Sequence, residues 1–333
     1  MKRLLAWLAI AVSLPAFAQT YDQRPDVRAF IDDMAARHGF LSEELRATFA
    51  QVQRVEPALQ SIQPSQQPAW ADFRAQFVND KRIAAGLDFW RANRRSLARA
   101  ERDYGVAPEF IVAIIGVETY YGRHAGRWRV IDALTTLAFD YPARARFFRS
   151  ELEQYLLFAR DDGVDVFSVK GSYAGAIGIP QFMPGSARRY AVDFDGDGHI
   201  DLRGSAADAI GSIGNFLRRH GWRAGEAVQL RVTATSGDAW RAYADGNVQP
   251  AHSVAELVQS GLAADVPPEA ASARAAVVNL EGDLRLGLHN FYVITRYNRS
   301  ALYAAAVADL AQALKEERQA SGARGKAGQS AGR

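Results

Sequence analysis

The stretch Ile111-Val112-Ala113-Ile114-Ile115-Gly116-Val117-Glu118-Thr119-Tyr120-Tyr121-Gly122 decides how the chain is read. Pro108 suits a first helical position and Gly122 the residue just past a helix end, so a helix is predicted between them. Residues three and four apart share a helix face, which aligns Ile111, Ile114 and Ile115 with Glu118. A carboxylate therefore stands on the apolar stripe, one turn before the helix stops. Burial disfavours the charged form of an acid, so Glu118 is expected to hold its proton nearer neutral pH than an exposed glutamate. A proton-holding Glu beside aromatic residues is what general acid catalysis of glycoside cleavage requires. A buried Glu paired with an arginine, or one turned to water, fits this stretch about as well, because structural ion pairs perturb acids too.

Toward the N-terminus, Met1 to Ala18 reads as a secretory signal. Lys2 and Arg3 form its charged start, Leu4 to Leu14 its apolar run, and Ala16-Phe17-Ala18 the small-residue cleavage site before Gln19. The run is too short to span a bilayer, so an exported protein cleaved after Ala18 is expected. The chain contains no cysteine, which excludes disulfides, thiol nucleophiles, Cys-ligated zinc and a lipid anchor on Cys. Loss of Lys2 and Arg3 takes the formal net charge from +3 to +1. Arg324, Lys326 and Arg333 lie in a Gly/Ser/Ala/Gln-rich tail, 319–333, expected to be disordered. The folded body is thus near neutral, which speaks against a nucleic-acid partner.

The remaining periodicities predict a mainly helical protein of about two domains. Helices are expected over Asp26–His38, Ser42–Val55, Ala69–Phe77 and Asn79–Tyr104, with Gln63–Pro68 as a strap. Further helices are expected over Arg144–Ala159, Asp208–His220 and Leu302–Glu317; Gly211 and Gly214 suit close approach of another backbone. Ala227–Ala234 alternates like a strand, and Asn247–Val254 and Ala275–Leu288 offer more, with a small helix over Ser253–Ser260. The fold class is α+β, predominantly helical. Its predicted parts are a helical domain over 19–105 with 291–318 packing back, a core over 106–224, and a small β-containing subdomain over 225–288.

Two further stretches carry chemistry. Gly171 to Pro184 is rich in Gly and Pro yet apolar, as a cleft-lining loop would be; Ser172 and Gln181 there offer donors and acceptors for sugar hydroxyls and amides. A loop merely packed under a helix is the alternative. Asp193-Phe194-Asp195-Gly196-Asp197-Gly198-His199-Ile200-Asp201 follows the first nine positions of an EF-hand loop. Asp193, Asp195 and Asp197 would be side-chain ligands, and His199 would give its carbonyl. The twelfth position is Gly204 rather than Glu, so Asp208 is the candidate final ligand in a stretched loop of 193–208. Hard oxygen ligands favour a structural Ca²⁺, with Na⁺ as the other possibility; an acidic turn without metal remains open.

Taken together, Gly116-Val117-Glu118-Thr119, Tyr141-Pro142, Gly171 to Pro184, Ala191 to Phe194, Gly196 to His199, Asp208 to Ser212, His220-Gly221-Trp222 and Phe291 to Asn298 resemble the type B lytic murein transglycosylases. The resemblance spans roughly Ala29 to Leu314. It implies a lysozyme-like catalytic core, a periplasmic location, and peptidoglycan glycan strands as the partner. It further implies a lyase cleaving the β-1,4 bond from N-acetylmuramic acid to N-acetylglucosamine without water, with no cofactor for catalysis. By position, Glu118 resembles the single catalytic acid/base, and Ser172, Gln181, Phe216, Tyr297, Asn298 and Tyr303 the residues lining the glycan cleft. Phe216 matches a position where relatives can carry Tyr, so any hydroxyl role is lost there. A monomer without membrane anchor is expected, with association to other wall enzymes possible. Two rival readings remain at this stage: a hydrolytic muramidase, with Asp132 or Asp140 as second acid, and a non-catalytic wall-binding module.

Overall fold

The Pro108–Thr119 helix forms between its predicted signals, and Ile111, Ile114 and Ile115 are fully buried along it. Each such side chain contributes on the order of 1.5–3 kcal/mol when removed from water. The end of the helix departs from expectation. Tyr120 and Tyr121, rather than Gly122 alone, turn the chain through left-handed backbone, with φ of 51° and 62°. Such backbone costs a side-chain-bearing residue about 1–2 kcal/mol, and side-chain contacts hold it. The Tyr121 hydroxyl donates to the Arg82 carbonyl at 2.9 Å, and the Arg82 guanidinium donates back to the Gly116 carbonyl. Only glycine leaves room for that ring: a Cβ on Gly86 or Gly116 would lie 2.4 or 2.7 Å from its hydroxyl.

The computed structural model describes residues 20–63, 68–235, 237–264 and 270–330, of which 323–330 as backbone only. The expected signal, Met1 to Ala18, and the middle of the strap, 64–67, lie outside the described residues. Contacts divide the chain after Arg54, not near residue 105. The first unit pairs helices Pro25–His38 and Ser42–Ala50 about Gly39, with Val27, Ile31, Met34 and Phe49 buried. The second helix stops short of Val55, and a separate Glu56–Ser61 helix follows, because Pro57 is tolerated in a first helical turn but not in a helix interior.

In the second unit, the long helix expected over Asn79–Tyr104 is two, Asp80–Ala92 and Arg94–Tyr104. Asn93 divides them; its side chain hydrogen-bonds back to the Phe89 carbonyl at 2.9 Å, as asparagine does when it competes with a helix. Both helices pack on Pro108–Thr119, which is why they belong with it rather than to an N-terminal domain. An unexpected helix, Val130–Asp140, lies against Ala145–Asp161. Ala206–Arg219 starts on Ser205, whose hydroxyl accepts from the Asp208 N–H. At Gly211 and Gly214 the close approach is made by the side chains of Phe194 and Tyr104 rather than by another backbone.

The sheet portion carries β1 (Trp128–Arg129) paired antiparallel with β2 (Lys170–Gly171), and a five-stranded antiparallel sheet. The latter comprises β3 (Gln229–Ala234), β4 (His252–Ser253), β5 (Leu262–Ala264), β6 (Arg274–Leu280) and β7 (Asp283–Gly287), in the order β4-β6-β7-β3-β5. The strand expected over Asn247–Val254 shrinks to β4. Val232, Trp240, Leu257 and Leu286 give the sheet a core of its own. The last helix, Ala301–Ser330, packs on Pro108–Thr119 and continues past the start of the expected disordered tail.

One ion cluster joins sheet to helix. Arg285 of β7 is fully buried, and its guanidinium donates to Asp309 at 2.7 and 3.1 Å and to Asp283 at 2.7 and 3.2 Å. Asp309 also accepts from Arg74 at 2.6 Å and Arg231 at 3.1 Å. Burial alone would raise the Asp309 pKa, but the hydrogen bond and charge of Arg285 outweigh it and hold the carboxyl below its ordinary range.

Candidate active site

Glu118 lies in the last turn of its helix and keeps a part of its surface open to solvent. Its carboxyl is nonetheless packed round by protein, and that burial pushes its pKa up to about 7. The opposing influence is Tyr303, whose hydroxyl donates to Oε1 at 2.6 Å. No guanidinium is paired with Glu118 among the described residues, so the structural ion pair left open by the sequence is not what is found. Tyr303 is 3% exposed, and its ring stacks at 10° on Tyr297, centroids 6.4 Å apart. Burial, with the charge of Glu118 beside them, keeps both phenols protonated and able to donate.

The 171–184 loop is fastened to this end of the helix. Thr119 donates to the Ile179 carbonyl at 3.0 Å, and the Tyr297 hydroxyl donates to the Pro180 carbonyl. Gln181 adopts φ 52° and spends its amide N–H groups on the Gly178 and Ala125 carbonyls, at 2.8 and 3.1 Å; its side-chain oxygen accepts no described hydrogen bond. Ser172 Oγ accepts from the Ala174 and Ala176 N–H groups, at 3.2 and 3.0 Å, which leaves the hydroxyl proton to donate. Asn298 is exposed at the end of the His289–Tyr297 helix, with no described side-chain hydrogen bond. Phe216 is 4% exposed and is packed among Phe182, Tyr190, Tyr297 and His220. It is thus a support for Tyr297 more than a surface for sugar.

Sequence reasoning missed Thr119, Tyr121 and Arg82 as fixtures of the helix end, and Glu151, which accepts from the Gly185 N–H at 2.8 Å and so caps the helix following the loop. The Gly-Val-Glu-Thr run contained Thr119, but nothing local showed where its hydroxyl would go. Two clefts of ≈ 710 and ≈ 730 Å³ flank residues 225–227 and contain none of these site residues.

In the acidic loop, Asp193, Asp195 and Asp197 bring carboxylate oxygens within 4.8 Å of one another. Asp193 accepts from the Gly196 and Gly198 N–H groups at 2.7 and 2.9 Å, curling the loop around itself. Three hard anionic oxygens on such a turn suit a hard cation. Asp208 stands elsewhere than expected: 1% exposed, it accepts from the Phe194 and Asp201 N–H groups, both at 2.7 Å. Its two oxygens tie the ends of the loop together, because as third residue of its helix it faces those backbone donors.

A buried, lone, tyrosine-bonded glutamate at the end of an apolar helix, on a mainly helical α+β frame, is the arrangement of a lysozyme-like glycan-cleaving protein. The chain belongs to the family described as the transglycosylase SLT domain, which matches residues 22–312. It is 40% identical over 308 residues to membrane-bound lytic murein transglycosylase B of Escherichia coli (strain K12), covering 88% of this chain and 84% of that protein. Its fold is similar to that of the soluble lytic transglycosylase SltB1 from Pseudomonas aeruginosa, with TM-score 0.83 and 44% identity over 89% of this chain and 100% of that one. A lytic transglycosylase of Escherichia coli solved in complex with calcium is similar at TM-score 0.80 and 39% identity, over 89% of this chain and 94% of that one.

Proposed function

We propose that this protein is a peptidoglycan lytic transglycosylase in which Glu118 is both the acid and the base. The observation that carries the proposal is the raised pKa, about 7, of an acid held by burial and by Tyr303. Near neutral pH the carboxyl can give its proton to the glycosidic oxygen as the bond from C1 of N-acetylmuramic acid breaks and its electron pair leaves with that oxygen. The resulting carboxylate then takes the proton of the muramoyl C6 hydroxyl, whose oxygen bonds to C1. The product ends in 1,6-anhydro-N-acetylmuramic acid, Glu118 regains its proton, and no water is consumed. The acetamido group of the sugar supports the cationic centre, as in substrate-assisted glycosidases.

A hydrolytic muramidase would need a second carboxylate. Asp132 is ill placed for that role: it is 5% exposed and doubly bonded to Arg129, at 2.6 and 3.0 Å. Digestion of purified sacculi followed by product mass measurement tests the proposal: the transglycosylase yields muropeptides lighter by one water than the reducing-end products of a hydrolase. Intact sacculi bound but not cut would instead favour a wall-binding module.

Tyr303→Phe removes the hydrogen bond that lowers the Glu118 pKa, so the carboxyl keeps its proton to higher pH. The alkaline limb of the pH–rate profile is expected to move up, and the maximal rate to fall as the carboxylate loses its only described orienting partner. An unmoved limb would contradict the role given to Tyr303.

The loop around Asp193, Asp195 and Asp197 is proposed to hold a structural Ca²⁺, in keeping with the calcium complex of the similar Escherichia coli enzyme. The ion would neutralise three clustered carboxylates and contribute stability, not chemistry at Glu118. Added Ca²⁺ at 100 times its dissociation constant is expected to stabilise the fold by about 2.7 kcal/mol, read as a rise in melting temperature that Asp195→Asn removes. The signal, Met1 to Ala18, supports a periplasmic location. Among the described residues no helix is long and apolar enough to cross a membrane, and the chain has no cysteine to carry a lipid.

A further inference from the structure

The helix that carries Glu118 bears a second sheltered acid at its other end. Pro108–Thr119 and the last helix lie side by side. Glu118 meets Tyr303 at one end of the pair, and Glu109 meets Lys315 at the other, with Nζ 3.3 Å from Oε1. At 1.5 Å per residue the two acids stand about 13 Å apart along the helix, and cleavage at Glu118 leaves the second without a task. Glu109 is only 9% exposed. It lines the ≈ 710 Å³ cavity bordered by the last helix and β3.

This cavity offers hydrogen bonds without offering net charge. Arg74, Arg231 and Lys315 line it with three cations, and Glu109, Asp309 and Glu316 with three carboxylates. The fourth acid there, Glu226, is bridged to Arg223 at 3.5 Å. Such a lining favours an ion of neither sign. Bonding capacity is nonetheless left over on both sides. Glu109 Oε2 accepts no described hydrogen bond. Arg74 gives its Nε–H to Asp309 at 2.6 Å, and its terminal nitrogens have no described acceptor. Sheltered polar atoms of this kind call for a partner. Phe110, half-buried and edge-on to Trp222 at 5.1 Å between centroids, adds an apolar wall.

We infer that this cavity is a second glycan site, one that holds a short run of neutral N-acetylated sugars without cutting it. A neutral sugar brings hydroxyl donors for Glu109, acceptors for Arg74 and an apolar ring face for Phe110, and it brings no charge to upset the balance. The volume is that of a small-ligand pocket, roughly 300–1,000 Å³. None of the residues set around Glu118 lines the cavity, so a strand lying there is gripped and not cleaved. The inference rests on the lytic reading for the identity of the sugar. It adds a hold on a neighbouring strand while Glu118 works on another.

The test measures binding in the full chain with Glu118→Gln, using a tetramer of N-acetylglucosamine as the probe. Trp222 lines the cavity and donates its indole N–H to the Gly105 carbonyl at 3.1 Å, so its indole NMR signal reports occupancy there. Trp128, paired with Gly171 of the cleft loop, reports on the active site. The tetramer is expected to shift both signals. Ala313→Phe puts a ring into the cavity from the last helix, and Glu109→Ala removes the spare acceptor. Each is expected to raise the midpoint of the Trp222 shift about tenfold or more, as losing a hydrogen bond to a charged group does, and to leave the Trp128 midpoint in place. Ala313 is not buried, so its variant decides the matter if Glu109→Ala does not fold. A Trp222 signal that stays still, or one whose midpoint is the same in native-cavity and variant proteins, would overturn the inference. The lytic reading is judged separately, by whether the native protein releases anhydro products from sacculi.

Discussion

Glu118→Gln is expected to abolish lysis of wall suspensions, lowering kcat by roughly 10²–10⁴-fold, the range of a positioned acid/base group, while glycan binding persists. Gln has the shape of Glu and can still accept from Tyr303, but it has no proton to give at neutral pH. The same change is expected to stabilise the protein. In the native chain the folded pKa of about 7 stands above the ordinary value of 4.5. Between these values the unfolded chain releases a proton that the folded chain retains. Stability of the native protein therefore falls as pH rises from 4.5 through 7 and then levels off. At pH 8 the Gln variant, free of that cost, is expected to gain on the order of 3 kcal/mol, at 1.36 kcal/mol per unit of pKa; near pH 4 the gain should vanish. Thermal melts at the two pH values read this directly. Substantial residual lysis, or a variant no more stable at pH 8 than at pH 4, would remove the assignment.

The second large effect concerns stability alone. Asp309→Asn is expected to cost about 3–5 kcal/mol, as breaking a buried ion pair does. Asparagine keeps the volume but removes the charge shared by Arg74, Arg231 and Arg285. Arg231 and Arg285 are then left with Asp283 and Arg74 loses its described carboxylate, and Arg285, with no solvent exposure, cannot turn to water. Chemical denaturation of native and variant proteins measures the loss, and the effect should shrink on acidification, where Asp309 of the native chain also loses its charge. A loss below about 1 kcal/mol, the range of a surface pair, would show that the cluster is not buried as described.

The parts of this molecule that could be read from its sequence were those written in local spacing. The acid-bearing helix announced itself through Pro108 and the isoleucine stripe, the acidic loop through its alternating aspartates, and the strand β3 through its alternation. Glu118, Ser172 and Gln181 could be picked out from their own stretches, Tyr297 and Tyr303 only through the resemblance, and the structure bonds Tyr303 to Glu118 and stacks Tyr297 on Tyr303. What escaped was set by partners distant along the chain. Asp208 looked like a ligand because it followed an ion loop, yet its oxygens are claimed by backbone donors at Phe194 and Asp201. Nothing near Tyr121 tells that its ring enters between Gly86 and Gly116, more than thirty residues away from the first of them. Arg285 alternates with Leu284 and Leu286 as an outward-facing residue would, and only Asp309 in the last helix explains how it can be buried there. The break at Asn93 was of a third kind: the residue was visible, but helix propensity on both sides outweighed it in the reading.

The wedge of Tyr121 has a consequence for how work is divided between enzyme and wall. With its phenol tethered to one helix and its ring filling the gap to the next, the tip that bears the acid has no room to swing. The loop opposite is stitched down at Ile179, Pro180 and Gln181. A tool built this stiffly does not mould itself to its workpiece; the elastic mesh of the sacculus has to bend a strand into reach.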